Sequence, residues 1–492
     1  MLFNSYVFLF VFLPIAWIAF RLIARFRSRI AAMLTLVAAS LVFYAYWNPP
    51  FVVLLLLSIA FNYAWSGLID RSRAYSKLLL AVGIGVNLAA LGYFKYTNFL
   101  LENLSRIGLA PHMTRDIVLP LGISFFTFVQ IAYLVDIHTG AARRGGLLEH
   151  ATFVTFFPQL IAGPIVRQRE IVPCYSGLRL CARSYRNVAV GLGFIALGLF
   201  KKALLADTLS PWVDDAFDTT DKLSFLEAWG ASLAYTFQIY FDFSAYSDMA
   251  IGLARLFNVD LPINFHSPYK ATSIIDFWRR WHITLSRFIR DYLYIPLGGN
   301  RRGAARQYMN LLAAMLLAGL WHGAAWTFVL WGGLHGAYLA LNHLFRRLSR
   351  RFALRVPGWA GWAVTFACVN VAWVFFRADS LGRAVDILKG MAGMNGMLIK
   401  SRHIPEFLAR ALEVLHIHTV AQLPTWHYFG PHERNMLIVA LVIALALPNT
   451  WEWARGSIGR RPTRLTAVFV GVILCVSVLF LGKVSEFLYF QF

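Results

Sequence analysis

Two short phrases hold the residues that are most able to do chemistry, and the first is Trp321-His322-Gly323. It lies in a predominantly apolar stretch, Leu311 to Phe345. A histidine at membrane depth is energetically expensive unless it is used. Because a neutral imidazole can take a proton from a hydroxyl near neutral pH, we predict that His322 is a general base. The alternative is a histidine that only hydrogen-bonds between helices.

The second phrase, Asp276 to His282, is a dense cluster of basic, aromatic and histidine side chains. Its two arginines could grip the phosphates of a cytosolic donor, and its two indoles could hold an adenine or pantetheine arm. The predicted donor-binding residues are therefore Trp278, Arg279, Arg280 and Trp281. The alternatives are arginines that only fix the topology and, for His282, a solvated or lipid-facing side chain at the inner interface.

Further polar residues stand in apolar surroundings. Asp242 and Asp248 lie in an otherwise apolar segment that begins at Tyr240. Carboxylates there must be paired or face water, so they form either a proton relay or structural pairs with nearby arginines. His335 comes 13 positions after His322. On a continuous helix it would face elsewhere, which favours a structural role.

The composition is that of a polytopic membrane protein. Of 492 residues, 59% are hydrophobic and only 14% are charged, whereas soluble domains carry about 25% charged residues. The four cysteines show no C-x-x-C or Cys/His spacing, so we expect no metal site and no disulfide. We predict an all-α fold that forms a single membrane-embedded unit over residues 1–492.

The net charge of +22 reflects topology, because the basic residues cluster between apolar stretches. This distribution argues against nucleic-acid binding. Cytoplasmic loops carry Lys and Arg, which places Arg301 to Arg306 and Arg346 to Arg351 inside and an acidic loop, Asp207 to Asp221, outside. The predicted spans are Tyr6–Ala24, Ile30–Trp47, Phe51–Ile69, Leu78–Leu100, Ile117–Ile137, Asn187–Ala206, Phe225–Leu256, Gly361–Phe376, Met436–Trp453 and Leu465–Lys483.

Two apolar stretches do not fit a simple span, which needs about 20 residues. Phe153 to Val166, broken by prolines and a glycine, is predicted to be re-entrant or interfacial. Tyr308 to Phe345 is too short for two comfortable crossings and is predicted to be a hairpin that turns near residues 319–323. Irregular backbone at that depth must be buried or line a cavity, so His322 would sit at a cavity floor. Residues 378–434 are predicted to be extramembrane and outside.

The chain resembles the bacterial membrane-bound O-acyltransferases, and most closely their alginate O-acetyltransferase subfamily. The similarity runs over most of the length and is most specific in the phrases Phe277-Trp278-Arg279-Arg280-Trp281-His282 and Gly319-Leu320-Trp321-His322-Gly323. Weaker matches are Gly92-Tyr93-Phe94-Lys95-Tyr96, Pro120-Leu121-Gly122-Ile123-Ser124-Phe125, Leu160-Ile161-Ala162-Gly163-Pro164, Tyr240-Phe241-Asp242-Phe243-Ser244 and Leu297-Gly298-Gly299-Asn300.

The resemblance implies a funnel-like ring of about 11–13 transmembrane and re-entrant helices. It assigns the catalytic histidine to His322 and a second motif histidine to His282. Residues that would line the cavity or relay protons are Tyr240, Asp242, Asp248, Asn300, Trp321 and His335.

The resemblance also implies the substrates and the location. Acetyl-coenzyme A, a substrate and not a bound cofactor, would present its thioester from the cytoplasm, and a hydroxyl would approach from outside. The partners would be the lipid bilayer of the bacterial inner membrane and a periplasmic acetyltransferase of the SGNH type. The final acceptor would be an exopolysaccharide such as alginate; peptidoglycan and cellulose are the alternatives.

Three other classes of protein remain as alternatives. A transporter would carry paired halves with matching broken helices, and we find none. A haem protein would need a further histidine pair on a facing span, and the predicted spans lack one. A scaffold or transporter subunit of a polysaccharide export complex would tolerate the loss of His322, whereas an acyltransferase would not.

Overall fold

The computed structural model describes residues 1–72, 74–109, 111, 113–175, 177, 179–219, 222–353, 355–400, 417–420, 431–458, 463–482 and 486–488. Most of these residues are helical, which confirms the predicted class. A pair of short parallel strands, β1 (Met397–Lys400) and β2 (Ile417–Val420), is also present. The proposed extramembrane region, residues 378–434, lies partly outside the described residues, at 401–416 and 421–430. Its location stays a prediction.

The helices follow one another with short connections. The first eleven are α1 (Leu13–Ala24), α2 (Arg29–Ala45), α3 (Pro50–Arg71), α4 (Ser76–Leu91), α5 (Thr97–Arg106), α6 (Ile123–His138), α7 (Leu147–Thr155), α8 (Phe157–Leu160), α9 (Gln168–Tyr175), α10 (Tyr185–Phe200) and α11 (Asp207–Asp218). The others are α12 (Phe225–Leu256), α13 (Ile274–Arg280), α14 (Ile283–Ile289), α15 (Gly303–His322), α16 (Trp326–Phe352), α17 (Gly358–Arg377), α18 (Leu381–Met391), α19 (Pro431–Leu445), α20 (Thr450–Trp453) and α21 (Arg464–Leu479).

Tighter and wider helical turns join some of these helices. Pro268–Lys270 forms a single 3₁₀ turn. The π-helical segments are Val7–Phe12, Gly92–Tyr96, Lys201–Ala206, Arg290–Tyr294 and Ala454–Ile458.

Several helices are long and apolar enough to cross a membrane. Among the described residues there are five, Val7–Ala24, Pro50–Arg71, Ser76–Arg106, Tyr185–Asp218 and Gly358–Arg377, or six if the bent pair Pro431–Leu445 and Thr450–Gly456 is one span. The protein is therefore a multi-pass membrane protein. The other predicted spans are shorter or more polar helices, because a helix enclosed by protein need not be apolar on every side.

The long helix α12 is the central element of the fold. Ser224 and Glu227 cap its first turn, and α10, α11, α17 and α18 pack around it. A side chain at Gly191 would lie 2.7 Å from the carbonyl oxygen of Gly252. The backbones of α10 and α12 therefore touch, as small residues allow in membrane helices.

The predicted acidic loop is a helix up to Asp218, so this prediction is wrong. α10, a π-helical segment and α11 form one helix of 34 residues. The helix continues because its carboxylates find partners: Asp207 pairs with Lys202 at 2.9 Å, and Arg377 binds Asp214 and Asp218. Asp221 lies outside the described residues.

α15 and α16 form the hairpin that the sequence predicts. The connection, residues 323–325, comes just after the predicted turn. The arms begin and end beyond the predicted limits and contain 20 and 27 residues, which is about 30 Å and 40 Å of helix. The premise that this segment is too short for two crossings is therefore wrong. Its depth in the bilayer stays a prediction.

Glycines hold the two arms of the hairpin together. An added methyl group at Gly332 would lie 2.2 Å from the carbonyl oxygen of Met315, and one at Gly319 would lie 2.2 Å from that of Phe328. Both positions face backbone, which cannot move aside as a side chain can. This close approach fixes the end of α15 against the start of α16.

We expect Gly332→Ala to destabilise the protein by about 1–3 kcal/mol, the usual effect of overpacking. Gly333→Ala is the matched control, because its methyl group would meet only the Leu316 side chain at 3.4 Å. Replacing this helical glycine should be neutral or stabilise by about 0.4–1 kcal/mol. Unfolding of both variants in mixed micelles measures the difference. Equal stabilities would show that the arms do not depend on the glycine.

The broken stretch after α7 lies inside the protein. Residues 152–168 are all buried, so the interfacial alternative is wrong. The backbone N–H groups of Phe157 and Ile165 donate to Ser40 Oγ (3.0 Å) and Thr284 Oγ1 (2.9 Å). These side chains replace the partners that a continuous helix would supply.

The two glycine-containing phrases that suggest helix breaks meet at this stretch. Gly122, with φ of +74°, precedes α6 and would place a methyl group 2.9 Å from the carbonyl oxygen of Leu160. A methyl group at Gly163 would lie 2.4 Å from Cα of Gln159. The phrases are therefore packed against each other.

Candidate active site

His322 is the last residue of α15 and is 4% exposed. Its ring is surrounded by the rings of Trp321, Trp331 and Phe376, whose centroids lie 4.9, 5.1 and 5.2 Å away. All three contacts are edge-on or nearly so. These rings, here called the aromatic box, keep bulk water from the imidazole and restrict its orientation.

A buried lysine holds the end of α15. Lys95 Nζ donates to the carbonyl oxygens of Trp321 (2.6 Å) and His322 (3.0 Å), and the Tyr96 hydroxyl donates to that of Leu320 at 2.7 Å. The last carbonyls of a helix lack partners within it, and a cation favours the negative end of the helix dipole. The segment Gly92–Tyr96 therefore fixes the position of His322.

His282 is fully buried and is neither solvated nor lipid-facing, so that alternative is wrong. Its Nδ1 donates to Asn264 Oδ1 at 3.0 Å, which places the lone pair of the neutral ring on Nε2. The ring lies 6.4 Å from that of Trp321, on which His322 also packs. His282 has φ of +41°, and such strain is typical of functional sites.

His335 lies near His322, contrary to the expectation from a continuous helix. The break at residues 323–325 turns α16 back, and both imidazoles pack on Trp331, His335 at 4.8 Å and His322 at 5.1 Å. The indole N–H of Trp278 donates to His335 Nδ1 at 3.2 Å. This bond fixes the neutral tautomer of His335 and supports the structural role.

The predicted donor-binding residues separate into two groups. Trp278 and Trp281 are buried, and Trp281 packs against the rings of Phe277 and Trp373. Their indole faces are not open to a ligand, so this part of the prediction is wrong. Arg279 is exposed, and Arg280 is partly exposed and pairs with Asp276 at 3.0 Å. The helix α13 turns its tryptophans inward and its arginines outward.

The two carboxylates on α12 are paired with lysines, whereas arginines were expected. Asp242 binds Lys202 at 2.8 Å, and Asp248 binds Lys201 at 2.6 Å. The backbone N–H of Leu488 also donates to Asp242 Oδ2 at 3.0 Å. Both pairs are structural contacts, which favours pairing over a proton relay.

Two other cavity candidates lie away from His322. Tyr240 lines a separate apolar cavity whose lining does not include His322. Asn300 is exposed in the turn before α15. Trp321, in contrast, packs on the His322 ring at 4.9 Å.

A polar pocket of about 330 Å³ opens at the turn of the hairpin. It begins two residues beyond His322, and its lining includes Ala324, Trp326, Thr327, Glu102, Arg106 and Asp379. Its wall contains hydrogen-bond donors and acceptors of both charges. A hydroxyl compound could therefore be held beside the end of α15.

Comparison with known proteins shows the family of this chain. The sequence model of the MBOAT, membrane-bound O-acyltransferase family, matches residues 114–381, which include all three histidines of the site. The chain belongs to the membrane-bound O-acyltransferase family. It is therefore an O-acyltransferase, as the sequence predicts.

Known proteins align with this acyltransferase over the whole or a part of its length. It is 40% identical to the peptidoglycan O-acetyltransferase of Helicobacter pylori, with 100% of this chain and 98% of the relative aligned. It is 37% identical to the probable alginate O-acetylase AlgI of Azotobacter vinelandii, with 100% of both chains aligned. The teichoic acid D-alanyltransferase of Streptococcus thermophilus is 28% identical over 48% of this chain and 60% of its own length.

Several residues that contact the predicted site residues are missing from the sequence-based prediction. Lys95 occurs in one of the family-like phrases, but nothing near it in sequence indicates that it binds residues more than 200 positions away. Trp331 and Phe376 look like ordinary apolar residues of a span. Lys201 and Lys202 could have been found, because two lysines inside a predicted span require buried acidic partners.

The described part of the acyltransferase contains no group of three or more His, Cys, Asp or Glu side chains that could hold a metal ion. The four cysteines lie apart, as free thiols. The groups beside His322 are aromatic rings, backbone carbonyls and a lysine. This set suits proton transfer within an enclosed site.

Proposed function

We propose that this enzyme transfers an acetyl group from acetyl-coenzyme A in the cytoplasm to a hydroxyl on the outer side of the bacterial inner membrane, with His322 as general base. The observation that supports this most is the placement of His322. It lies at the end of a fixed helix, inside the aromatic box, and next to a polar pocket. A general base needs such enclosure and a route for its substrate.

The reaction transfers an acyl group from the thioester sulfur of the donor to the hydroxyl oxygen of the acceptor. His322 takes the proton of the acceptor hydroxyl, and the oxygen attacks the thioester carbonyl. The carbon–sulfur bond then breaks, and the coenzyme A thiolate takes the proton from the imidazolium. A thioester is a reactive donor, so the protein mainly aligns the two substrates and excludes water. We propose that His282, across Trp321, supports this alignment through its bond to Asn264.

The donor would bind on the cytoplasmic side through its phosphates. Arg279 and Arg280 project from α13, whose inward-facing Trp278 contacts His335. Guanidinium groups bind phosphates through paired hydrogen bonds. We retain these two arginines as proposed phosphate ligands. The buried tryptophans would act as packing partners below them.

The acceptor would be a polysaccharide outside the cytoplasm, either directly or through a periplasmic SGNH-type partner. The full-length relatives are named for O-acetylation of alginate and of peptidoglycan. Both polymers offer sugar hydroxyls. An exopolysaccharide such as alginate is our first proposal, peptidoglycan is the second, and cellulose is the third.

The proposal that donor and acceptor reach His322 from opposite sides of the membrane can be tested by cysteine labelling in a protein that lacks the four native cysteines. We expect an impermeant thiol reagent to label Ala324→Cys and Asp215→Cys in intact cells, because the hairpin turn and the end of α11 would lie outside. Arg302→Cys and Arg350→Cys should react only after permeabilisation. Labelling of one of these two basic positions from outside would mean that only one arm crosses, and the proposed route to His322 would be wrong.

A further inference from the structure

Two cavities lie one after the other along α10 and are here called the cleft; Trp321, Trp331 and Phe376 line neither of them. Its upper part is an apolar cavity of about 450 Å³. Its wall includes six apolar side chains from α10, α19, α21 and the connection after α19: Leu197, Phe200, Ile443, Leu447, Phe469 and Ile473. Neither His322 nor the hairpin turn belongs to it, so the proposed acyl transfer does not explain this cavity.

The lower part of the cleft is a basic pocket of about 340 Å³. Three guanidinium groups line this pocket. They belong to Arg186 in the first turn of α10, Arg255 near the end of α12 and Arg455 after α20. Arg255 pairs with Asp260. Among the described residues no carboxylate forms an ion pair with Arg186 or Arg455. The pocket therefore carries an excess of positive charge.

The two parts follow each other along the fold, because α10, α12 and α20 each contribute side chains to both. The basic pocket is lined by α10 from Arg186 to Phe194, and the apolar cavity by the same segment from Leu197 to Leu205. The short helix α20 contributes Trp451 to the pocket and Trp453 to the cavity. From Arg186 to Leu205 is about 28 Å of helix, which is enough for one bilayer leaflet with its headgroups.

We propose that this cleft binds one anionic phospholipid. The phosphate would bind Arg186 and Arg455, and an acyl chain would fill the apolar cavity. The Trp451 ring lies 5.1 Å from the Arg455 guanidinium and helps to fix it. Anionic headgroups favour basic pockets between helices on the cytoplasmic side, where the basic clusters of this chain are predicted to lie.

The apolar cavity beside the basic pocket favours a phospholipid over acetyl-coenzyme A as the ligand. Both ligands carry phosphates, but acetyl-coenzyme A has no long hydrocarbon chain for a cavity of this volume. A bound lipid would connect α10, α20 and α21. It would also pack against Tyr240, whose ring contacts that of Tyr269 at 5.2 Å. The proposal therefore assigns Tyr240 to a lipid cavity.

The test is lipid retention by the purified full-length protein, measured by native mass spectrometry after delipidation and titration. Dioleoyl phosphatidylglycerol should bind more tightly than dioleoyl phosphatidylcholine. The double variant Arg186→Gln/Arg455→Gln should bind phosphatidylglycerol about 25-fold more weakly, since each arginine near an anionic headgroup contributes about a factor of five. Unchanged affinity in this variant would overturn the proposal.

A second basic pocket supplies the matched control. Arg25 and Arg27 line a cavity of about 640 Å³ that contains two further arginines and no apolar extension. Arg25→Gln/Arg27→Gln removes the same charge and should leave lipid retention unchanged. An equal loss in this control would show that general surface charge, and not the cleft, holds the lipid.

Two further measurements test whether the lipid acyl chain occupies the apolar cavity and whether the basic pocket binds a lipid or the acyl donor. Ile473→Trp fills the apolar cavity and should weaken binding of dioleoyl phosphatidylglycerol but not of the dihexanoyl form. Equal effects on both would contradict the placement of the acyl chain. Displacement of the lipid by coenzyme A would show that the pocket is a donor site, and the proposal would be wrong. None of these readouts depends on acyl transfer.

Discussion

Replacing His322 by Gln lowers the rate of acyl transfer by a factor of about 10²–10⁴, the range that a general acid–base group contributes. Glutamine fills a similar volume in the aromatic box and can hydrogen-bond, but it cannot take a proton at neutral pH. Binding of acetyl-coenzyme A and unfolding in detergent should stay at wild-type levels. The measurement is transfer of labelled acetyl from acetyl-coenzyme A in proteoliposomes, with membrane insertion checked in parallel.

His343→Gln is the matched control for this experiment. His343 lies on the same hairpin, in the second half of α16, and is partly exposed. Its replacement should leave the rate unchanged. Wild-type O-acetylation by the His322→Gln variant would remove the general-base assignment. It would also favour the alternative of a scaffold in a polysaccharide export complex.

Removing the Asp242 carboxylate produces the largest loss of stability that we expect. Asp242→Ala removes one of the two carboxylates that bind the buried Lys202 and leaves only Asp207 to balance its charge. Breaking a buried ion pair destabilises proteins by about 3–5 kcal/mol, and we expect a loss near the lower end because Asp207 remains. The side chains of Lys202 and Asp242 are only 2% and 3% exposed. The segment Glu486–Leu488 should detach as well, because Lys202 Nζ and Asp242 Oδ2 both bind its backbone. SDS-induced unfolding in mixed micelles measures the change in free energy of unfolding.

An exposed ion pair provides the comparison. Asp386 and Lys389 lie 3.4 Å apart, and each side chain is 49% exposed. Asp386→Ala should change the free energy of unfolding by less than about 1 kcal/mol, because water screens such pairs. A similarly small effect of Asp242→Ala would mean that the buried pair contributes no more than a surface pair.

The lipid-facing helices are the part of the fold that the sequence predicts best. The predicted spans Tyr6–Ala24 and Phe51–Ile69 correspond to helical segments Val7–Ala24 and Pro50–Arg71. Lipid requires apolar side chains on every exposed face, so these segments are apolar throughout. The interior is less predictable. Helices such as α6 are enclosed by protein, and their polar residues are satisfied by partners distant in sequence.

The candidate site shows the same division. The sequence points to His322 because a histidine in an apolar segment is unusual, and to His282 because it belongs to a basic and aromatic cluster; the structure brings both to the ring of Trp321. The sequence predicts Trp278 as a donor-binding residue, but it does not show that α13 packs against α16 and turns this side chain inward. The expectation that His335 faces away from His322 treats the segment as one continuous helix, whereas the hairpin that the sequence also predicts brings both imidazoles to Trp331.

The buried break within residues 152–168 has a consequence for how the protein enters the membrane. A segment that is too short to span and that exposes unpaired backbone groups is not stable in lipid alone. One of its N–H groups binds Thr284, which is 119 positions later in the chain. The break can therefore reach its final hydrogen bonding only after that later part of the chain has been synthesised and inserted. Until then it needs shelter among neighbouring helices, and an insertase or chaperone that supplies such shelter would speed the maturation of this enzyme.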